Sequence, residues 1–214
     1  MKLIIILGPP GVGKGTQAVF LAQMFNLCII SMGDLLRHFL SEYRLVSDIA
    51  KGNLVPDGIV SSLLEEKIIL NTNINGYVID GYPRTLSQVK YLDYLMLRKD
   101  IQNTYFVYLS LDESLLIQRL VSRFTCKTCN KIYNRLTAPT KLQGVCDFCY
   151  GSKFFTRDDD NINAIRVRFS VYNQQVASII RVYKDRMGYQ EFPAQGSIEE
   201  IQSNIILSKL FATF

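Results

Sequence analysis

The feature that most constrains this chain is a glycine-rich stretch close to its N-terminus. An apolar run at residues 2–7 leads into Gly8-Pro9-Pro10-Gly11-Val12-Gly13-Lys14-Gly15-Thr16, and a helical pattern starts at Thr16. The stretch fits G-x-x-x-x-G-K-[ST], in which glycines let successive backbone N–H groups converge on phosphate oxygens. A chance glycine-rich turn is the alternative, but strand, loop and helix follow in the order that phosphate binding requires. The stretch therefore predicts a phosphate site in an α/β fold.

Two side chains of this stretch suit a bound polyphosphate. Lys14 brings a mobile positive charge, and the Thr16 hydroxyl can ligate Mg²⁺. The positive end of the helix dipole also favours an anion at this position.

Length and composition set the size and setting of the molecule. With 214 residues, of which 48% are hydrophobic, the chain can form one domain with small insertions. No apolar run approaches the roughly 20 residues of a membrane span. The six-residue N-terminal apolar run enters the phosphate loop directly, so we do not expect a signal peptide, and we expect a soluble cytoplasmic protein. The net charge of +5 is scattered, which a polyphosphate substrate explains as well as nucleic acid does.

Apolar runs alternate with helical patterns along most of the chain. Runs near 2–7, 27–30, 77–80, 104–109 and 189–192 predict five strands, and their alternation with helices predicts a doubly wound parallel sheet. Two stretches interrupt the pattern: a small helical insertion at 31–60 and a cysteine-bearing lobe at 123–160. The predicted core therefore comprises residues 1–30, 61–122 and 161–214.

Asp80 ends the apolar strand that begins at Tyr77. Ligands of open α/β sheets bind at the carboxyl ends of the strands, so Asp80 can hold Mg²⁺ from the side opposite Thr16. A plain turn residue is the alternative.

Four of the five cysteines form two pairs of equal spacing. Cys126-x2-Cys129 and Cys146-x2-Cys149 match a tetrahedral zinc site with four thiolates. Two disulfides or four unrelated thiols are the alternatives, and a reducing cytoplasm disfavours disulfides. A site closed by four thiolates has no position for a substrate, so the zinc is predicted to be structural.

Several arginines lie near predicted loops, strand ends and lobe junctions. Phosphoryl transfer spreads charge over several oxygens, which the guanidinium group matches well, although a solvated surface role is the alternative for each arginine. The arginines are Arg37, Arg84, Arg119, Arg123, Arg157 and Arg168.

Together these segments resemble the adenylate kinases, in their long form with a zinc-bearing LID, over nearly the whole chain. The resemblance rests on the phosphate loop, on Gly33-Asp34-Leu35-Leu36-Arg37, on Asp80-Gly81-Tyr82-Pro83-Arg84-Thr85 with Gln88, and on Thr156-Arg157-Asp158-Asp159. It implies a phosphotransferase that reversibly converts Mg·ATP and AMP into two ADP and so maintains adenine nucleotide balance. The insertion at 31–60 would bind AMP, and the lobe at 123–160 would be the LID.

The resemblance also implies roles for individual residues. ATP would contact Gly11, Val12, Gly13, Lys14, Gly15, Thr16, Arg119, Arg123, Ile132, Tyr133 and Ile198. AMP would contact Met32, Arg37, Asn53, Leu54, Val55, Gly81, Tyr82, Pro83, Arg84, Gln88, Arg157 and Arg168, with Gln88 at the adenine edge. Catalysis would depend on Lys14, Arg84, Arg123, Arg157 and Arg168, while Asp158 and Asp159 would orient the LID arginines.

Two features depart from the pattern of the family. Met32 stands where a threonine or serine is usual, and residues 38–55 are several positions short. The Met32 thioether either lies on the purine face or packs beneath Leu35 and Leu36.

Two other functions compete with this one. A UMP/CMP kinase would share the fold, but the amide of Gln88 suits adenine, and the pyrimidine kinases resemble asparagine-rich variants of this stretch. A nucleic-acid-binding zinc ribbon switched by ATP is the other alternative, and the lobe has no basic-aromatic stripe to support it. We therefore expect ATP, AMP and ADP as ligands, no nucleic acid or membrane partner, and a monomer.

Overall fold

A five-stranded parallel sheet forms the centre of the molecule in the computed structural model, which describes residues 1–42, 55–70, 75–186 and 188–211. The strand order is β2-β3-β1-β4-β8, and every neighbouring pair is parallel. The predicted fold class is therefore confirmed. The strands are β1 (Lys2–Leu7), β2 (Cys28–Ser31), β3 (Gly76–Asp80), β4 (Asn103–Ser110) and β8 (Tyr189–Pro193).

The central strand β1 has β3 on one side and β4 on the other. In parallel sheets of this kind, the loops that follow two such strands diverge at the carboxyl end of the sheet, which is where ligands bind. In the register of the sheet, Asp80 at the end of β3 pairs with Ile6 and with Ser31. Ile4, Ile5 and Ile6 are fully buried, as expected for a strand covered on both faces.

Helices cover both faces of the sheet and form two apolar clusters. One cluster includes Leu64 and Tyr183, and the other includes Leu21 and Ile205. The helices are α1 (Lys14–Phe25), α2 (Met32–Glu42), α3 (Asp57–Leu70), α4 (Leu86–Arg98), α5 (Glu113–Val121), α6 (Ile162–Lys184) and α7 (Ile198–Ile206).

The cysteine-bearing insertion forms a small antiparallel sheet with the order β6-β5-β7. Its buried core consists of Cys126, Tyr133 and Cys146, with Phe124 and Phe154 packed against them. The hydrophobic pattern of the sequence did not predict these short strands. They are β5 (Arg123–Cys126), β6 (Ile132–Asn134) and β7 (Phe154–Phe155), followed by a 3₁₀ turn at Asp158–Asp160.

The C-terminal helix ends at Ile206, and a 3₁₀ turn follows at Lys209–Phe211. Asn53, Leu54 and most of the shortened stretch at 38–55 lie outside the described residues. Within the described ranges, no helix is both long and apolar enough to span a bilayer.

Candidate active site

The phosphate loop connects β1 to α1 and depends on glycine at two positions where the geometry requires it. Gly8 has φ 147°, and an added Cβ would lie 2.5 Å from the carbonyl oxygen of Leu109. Gly13 precedes the first residue of α1 with φ 104°, a value that L-residues rarely adopt. The loop therefore keeps its backbone N–H groups at the start of α1, where they can bind an anion.

Lys14 lies inside this loop, and within the described part of the chain its hydrogen-bond partners include no carboxylate. Its ammonium group donates to the carbonyl oxygens of Gly8, at 2.9 Å, and Pro9, at 2.8 Å. The pKa of Lys14 is lowered to about 7, mainly by burial. Asp80 raises this pKa, and Arg84, Arg168 and Arg123 lower it. An anion bound here would restore the high pKa of the amine.

Asp80 and Thr16 supply the oxygen atoms that a magnesium ion prefers. The Asp80 carboxylate lies close to the start of α1, since a Cβ on Gly15 would be 3.3 Å from its Oδ2. Burial raises the pKa of Asp80, and Lys14 and Arg84 act in the opposite direction. Thr16 is exposed in the first turn of α1. A hydroxyl and a carboxylate beside a phosphate loop fit Mg²⁺ bound to a polyphosphate.

Arginines from separate segments surround this loop. The pKa of Arg157 is lowered to about 10 by burial and by the neighbouring charges of Arg123 and Arg37. Burial also lowers the pKa of Arg168, near Arg123 and Arg84. The Arg84 Nε donates to the Gly81 carbonyl at 3.0 Å. Cations that depress the pKa values of one another are suited to a ligand of high negative charge.

Two buried aspartates of the 3₁₀ turn bind arginines, one at the start of the LID and one in α6. Asp160, whose side chain is fully buried, accepts from Arg123 Nε at 2.8 Å and binds it bidentately. Asp159 pairs with Arg168 at 2.9 Å. Asp158, which was predicted with Asp159 to orient the LID arginines, is exposed, and its role stays a prediction. Asp160 was not predicted from the sequence.

Three further residues that were predicted to contact ATP lie in α5, β6 and α7. Arg119 of α5 donates to the Val12 carbonyl at 3.4 Å and to the Ala194 carbonyl at 3.0 Å, which ties the phosphate loop to the segment before α7. Ile132 in β6 is 42% exposed and is accessible to a ligand. Ile198 is half-buried at the first residue of α7.

Tyr133, which was predicted to contact ATP, has its side chain packed inside the LID. It is 5% exposed, and its ring stacks on Phe124 at 5.5 Å. Its hydroxyl accepts from the Asp147 N–H at 2.8 Å and lies 3.3 Å from the sulfur of Cys146. Side chains alternate along a strand, so Ile132 and Tyr133 point to opposite faces of β6.

The four paired cysteines come together as expected for one metal ion. All four sulfur atoms lie within 4.8 Å of one another, and Cys126–Cys149 and Cys129–Cys146 are each 3.5 Å apart. Tetrahedral zinc with bonds of about 2.3 Å separates its sulfur ligands by roughly 3.8 Å, so the cluster fits. Despite burial, hydrogen bonds from Tyr133 and from the backbone N–H groups of Cys149 and Phe148 lower the pKa of Cys146 to about 6. Cys28 is free and lies outside the cluster.

The next residues are those that were predicted to contact AMP and that lie within the described ranges. Arg37 and Asp34 form an ion pair in α2, while Tyr82 is fully buried, Pro83 is buried and Val55 is half-buried. Met32 is 1% exposed within the core cluster that Leu35 and Leu36 pack against. This burial favours the alternative in which Met32 packs beneath Leu35 and Leu36, and the contact with the purine stays a prediction.

Gln88 is buried at the start of α4 and bonded at both ends of its amide. Its Oε1 accepts from the Arg84 N–H at 2.7 Å, and its Nε2 donates to Asp57 at 2.6 Å. The Thr85 hydroxyl caps α4 by accepting from the Gln88 N–H and donates to the same aspartate at 2.7 Å.

Comparison with known proteins agrees with this geometry. The family model described as "Adenylate kinase" matches residues 6–188. The chain is 37% identical over 208 residues to the adenylate kinase of Geotalea uraniireducens (strain Rf4), which covers 95% of each chain. It is 36% identical over 203 residues to that of Fervidobacterium nodosum, covering 92% of this chain and 93% of the relative. The adenylate kinase of Thermosipho africanus is 38% identical over 188 residues, covering 85% and 86%.

The chain belongs to the adenylate kinase family. It is therefore a phosphotransferase with a nucleotide site, and the phosphate loop and arginine cluster lie within the residues matched by the adenylate kinase model. Sequence reasoning missed two residues of this site, Asp57 and Asp160. No local pattern distinguishes Asp160 from its two acidic neighbours, and Asp57 contacts Gln88 across 31 residues of sequence.

Proposed function

We propose that this chain transfers the γ-phosphoryl group of Mg·ATP to a phosphate oxygen of AMP, giving two ADP in a reversible reaction. The observation that carries this proposal is the convergence of arginines from several segments on the phosphate loop, beside Asp80. Transfer between two phosphate groups concentrates more negative charge than either nucleotide alone, so it needs this many cations.

ATP is proposed to bind at the phosphate loop and beneath the LID. Backbone N–H groups of residues 11–16 and the Lys14 amine would bind its phosphates, because they form the anion site at the start of α1. Arg119 in α5, Ile132 in β6 and Ile198 in α7 are proposed to contact ATP as well. Tyr133 has no part in this proposal, since its hydroxyl is used inside the lobe.

AMP is proposed to bind between α2, α3 and the loop that follows β3. Arg37, Arg84, Arg157 and Arg168 would neutralise its phosphate, and Gln88 would contact the adenine edge. Gly81, Tyr82, Pro83 and Val55 would shape the pocket. Asn53 and Leu54 stay predictions for the same pocket.

Catalysis on this proposal is positioning and charge stabilisation. Lys14, Arg84, Arg123, Arg157 and Arg168 would contact the transferring phosphoryl oxygens, and Asp159 and Asp160 keep two of these guanidinium groups in place. Thr16 and Asp80 would hold Mg²⁺, which neutralises charge between the β- and γ-phosphates when bound.

Zinc is proposed as the structural metal of the LID at Cys126, Cys129, Cys146 and Cys149. The lobe has a small apolar core, so metal binding would supply much of its folding free energy. We further propose a core of 1–30, 61–122 and 161–214 with lobes at 31–60 and 123–160, acting as a cytoplasmic monomer without nucleic acid.

A coupled assay for ADP tests the proposed reaction and its acceptor. Purified protein with Mg·ATP should convert AMP much faster than GMP, CMP or UMP, and should hydrolyse little ATP when no acceptor is present. A preference for CMP or UMP would instead establish a pyrimidine monophosphate kinase. Loss of ATP without any acceptor would contradict kinase function altogether.

A further inference from the structure

Asp57 lies outside the phosphate-loop, arginine and zinc motifs, yet it contacts the side chain proposed to meet the base. Its Oδ1 accepts from Gln88 Nε2 at 2.6 Å, and its Oδ2 accepts from the Thr85 hydroxyl at 2.7 Å. Asp57 is the first residue of α3, whereas Gln88 lies in the first turn of α4. The carboxylate therefore connects two helices at the proposed monophosphate site.

The contacts of the Gln88 amide determine which way it points. A carboxylate only accepts hydrogen bonds, so it must face the NH₂ group, and the Arg84 backbone N–H only donates, so it must face Oε1. Turning the amide over would set oxygen against a carboxylate and N–H against N–H. Gln88 is 3% exposed, so the surrounding packing also resists rotation.

A fixed amide discriminates between two classes of purine. An amide has two N–H hydrogens and two lone pairs, and the network uses one of each, which leaves one donor and one acceptor for a ligand. Adenine presents a donor at N6 and an acceptor at N1, whereas guanine and hypoxanthine present an acceptor at O6 and a donor at N1. The same amide orientation cannot satisfy both patterns.

We propose that Asp57 determines the choice between 6-amino and 6-oxo purine monophosphates by holding the Gln88 amide in one orientation. This inference rests on the proposed function, in which Gln88 contacts the base of AMP. Asp57 itself does not touch the nucleotide and acts as a positioning residue. Without the Asp57 carboxylate, one of the two contacts that orient the amide is lost, and the Gln88 amide can adopt the flipped orientation.

The test is the ratio of kcat/KM for AMP to kcat/KM for IMP, measured at saturating Mg·ATP. Asp57→Ser keeps a residue that suits a helix start but is too short to reach Gln88. We expect it to lower the ratio by about tenfold or more, mainly through the KM for AMP, because one misoriented pair costs this much in discrimination. Asp57→Asn retains an acceptor oxygen for Nε2 and should restore much of the ratio. The ratio does not change with the fraction of folded enzyme.

A matched control is Asp93→Ser, in the same helix as Gln88. Asp93 pairs with Arg186 at 2.6 Å, far along α4 from the amide, so its loss should lower the melting temperature and leave the ratio unchanged.

Gln88→Ala separates failure of this inference from failure of the proposed function. A collapsed ratio in Gln88→Ala with an unchanged ratio in Asp57→Ser would overturn the role of Asp57 alone. An unchanged ratio in both variants would show that Gln88 does not read the base, which also overturns the inference. If the wild-type protein phosphorylates neither AMP nor IMP, the proposed function itself is wrong.

Discussion

We expect the protonation state of Lys14 to change when an anion binds to the phosphate loop. In the structure its amine donates to two carbonyl oxygens, and its pKa of about 7 is far below the ordinary value for lysine. Bound phosphate supplies the opposite charge that raises the pKa again.

Proton uptake on nucleotide binding follows from this difference. The folded pKa is lowered, so between pH 7 and about 10 free Lys14 is mostly neutral, while a phosphate-bound Lys14 is protonated. Binding should then take up close to one proton at pH 8, and nucleotide affinity should fall as the pH rises above 7. Titration calorimetry in buffers of different ionisation enthalpy measures this uptake. Lys14→Arg, which stays protonated, is the control and should show none.

The hydroxyl of Tyr133 provides a second prediction for a single residue. It accepts from the Asp147 N–H, so its own hydrogen is left to donate to the Cys146 thiolate when zinc is bound. Hydrogen bonds of this kind to metal ligands typically change metal affinity by about 10- to 100-fold. Tyr133→Phe should therefore release zinc to a chromophoric chelator faster than the wild type does.

Tyr150→Phe is the matched control for this experiment. Tyr150 belongs to the same lobe, but it is 79% exposed. Equal rates of zinc release from both variants and the wild type would show that the Tyr133 hydroxyl does not support the metal site.

At the scale of elements, the LID joins the rest of the fold through a short neck. β5 leaves the core at Arg123, and the chain returns through the 3₁₀ turn at Asp158–Asp160, where Asp160 binds Arg123. Breaking a buried pair by removing one charge usually costs about 3–5 kcal/mol, because the other charge is left without compensation.

Asp160→Asn should therefore destabilise the neck by about 3–5 kcal/mol and should lower kcat/KM for AMP. Urea unfolding and limited proteolysis of the lobe measure the first effect. Asp158→Asn, at the exposed neighbour, should change stability by less than about 0.5 kcal/mol. Similar losses in both variants would show that the bidentate pair does not stabilise the neck.

Comparison of the elements shows which features the sequence can predict. The phosphate loop and the cysteine pairs were recognised because their ligands are adjacent in sequence, and Asp80 because strand ends converge in a parallel sheet. The strand β6 has only three residues, which is too few to show a periodic pattern. The sequence therefore did not distinguish the exposed Ile132 from the buried Tyr133. Asp57, Asp160 and Met32 depend on packing between distant segments, which no local pattern encodes.

At the scale of the whole molecule, two apolar clusters support the sheet while the LID has a core of its own with three buried residues. This imbalance predicts that the lobe and the sheet lose their structure separately when the metal is removed.

Removing zinc with a chelator, or changing Cys129 to serine, should unfold the LID before the core. Protease cleavage within residues 123–160 should begin at a lower temperature than the loss of the far-ultraviolet circular dichroism signal of the helices. Elemental analysis should find one zinc per chain in protein made with sufficient metal. A single transition with and without zinc would contradict separate folding of the lobe.

The pairing of Arg123 with Asp160 also bears on how the lobe can change in length during evolution. This pair joins the two ends of the insertion where they leave the core. The distance between the two ends is therefore the same however many residues lie between them. An insertion whose ends are joined in this way can be replaced as a unit. Shorter, longer or metal-free lobes could be grafted between these two residues without altering the register of any core strand.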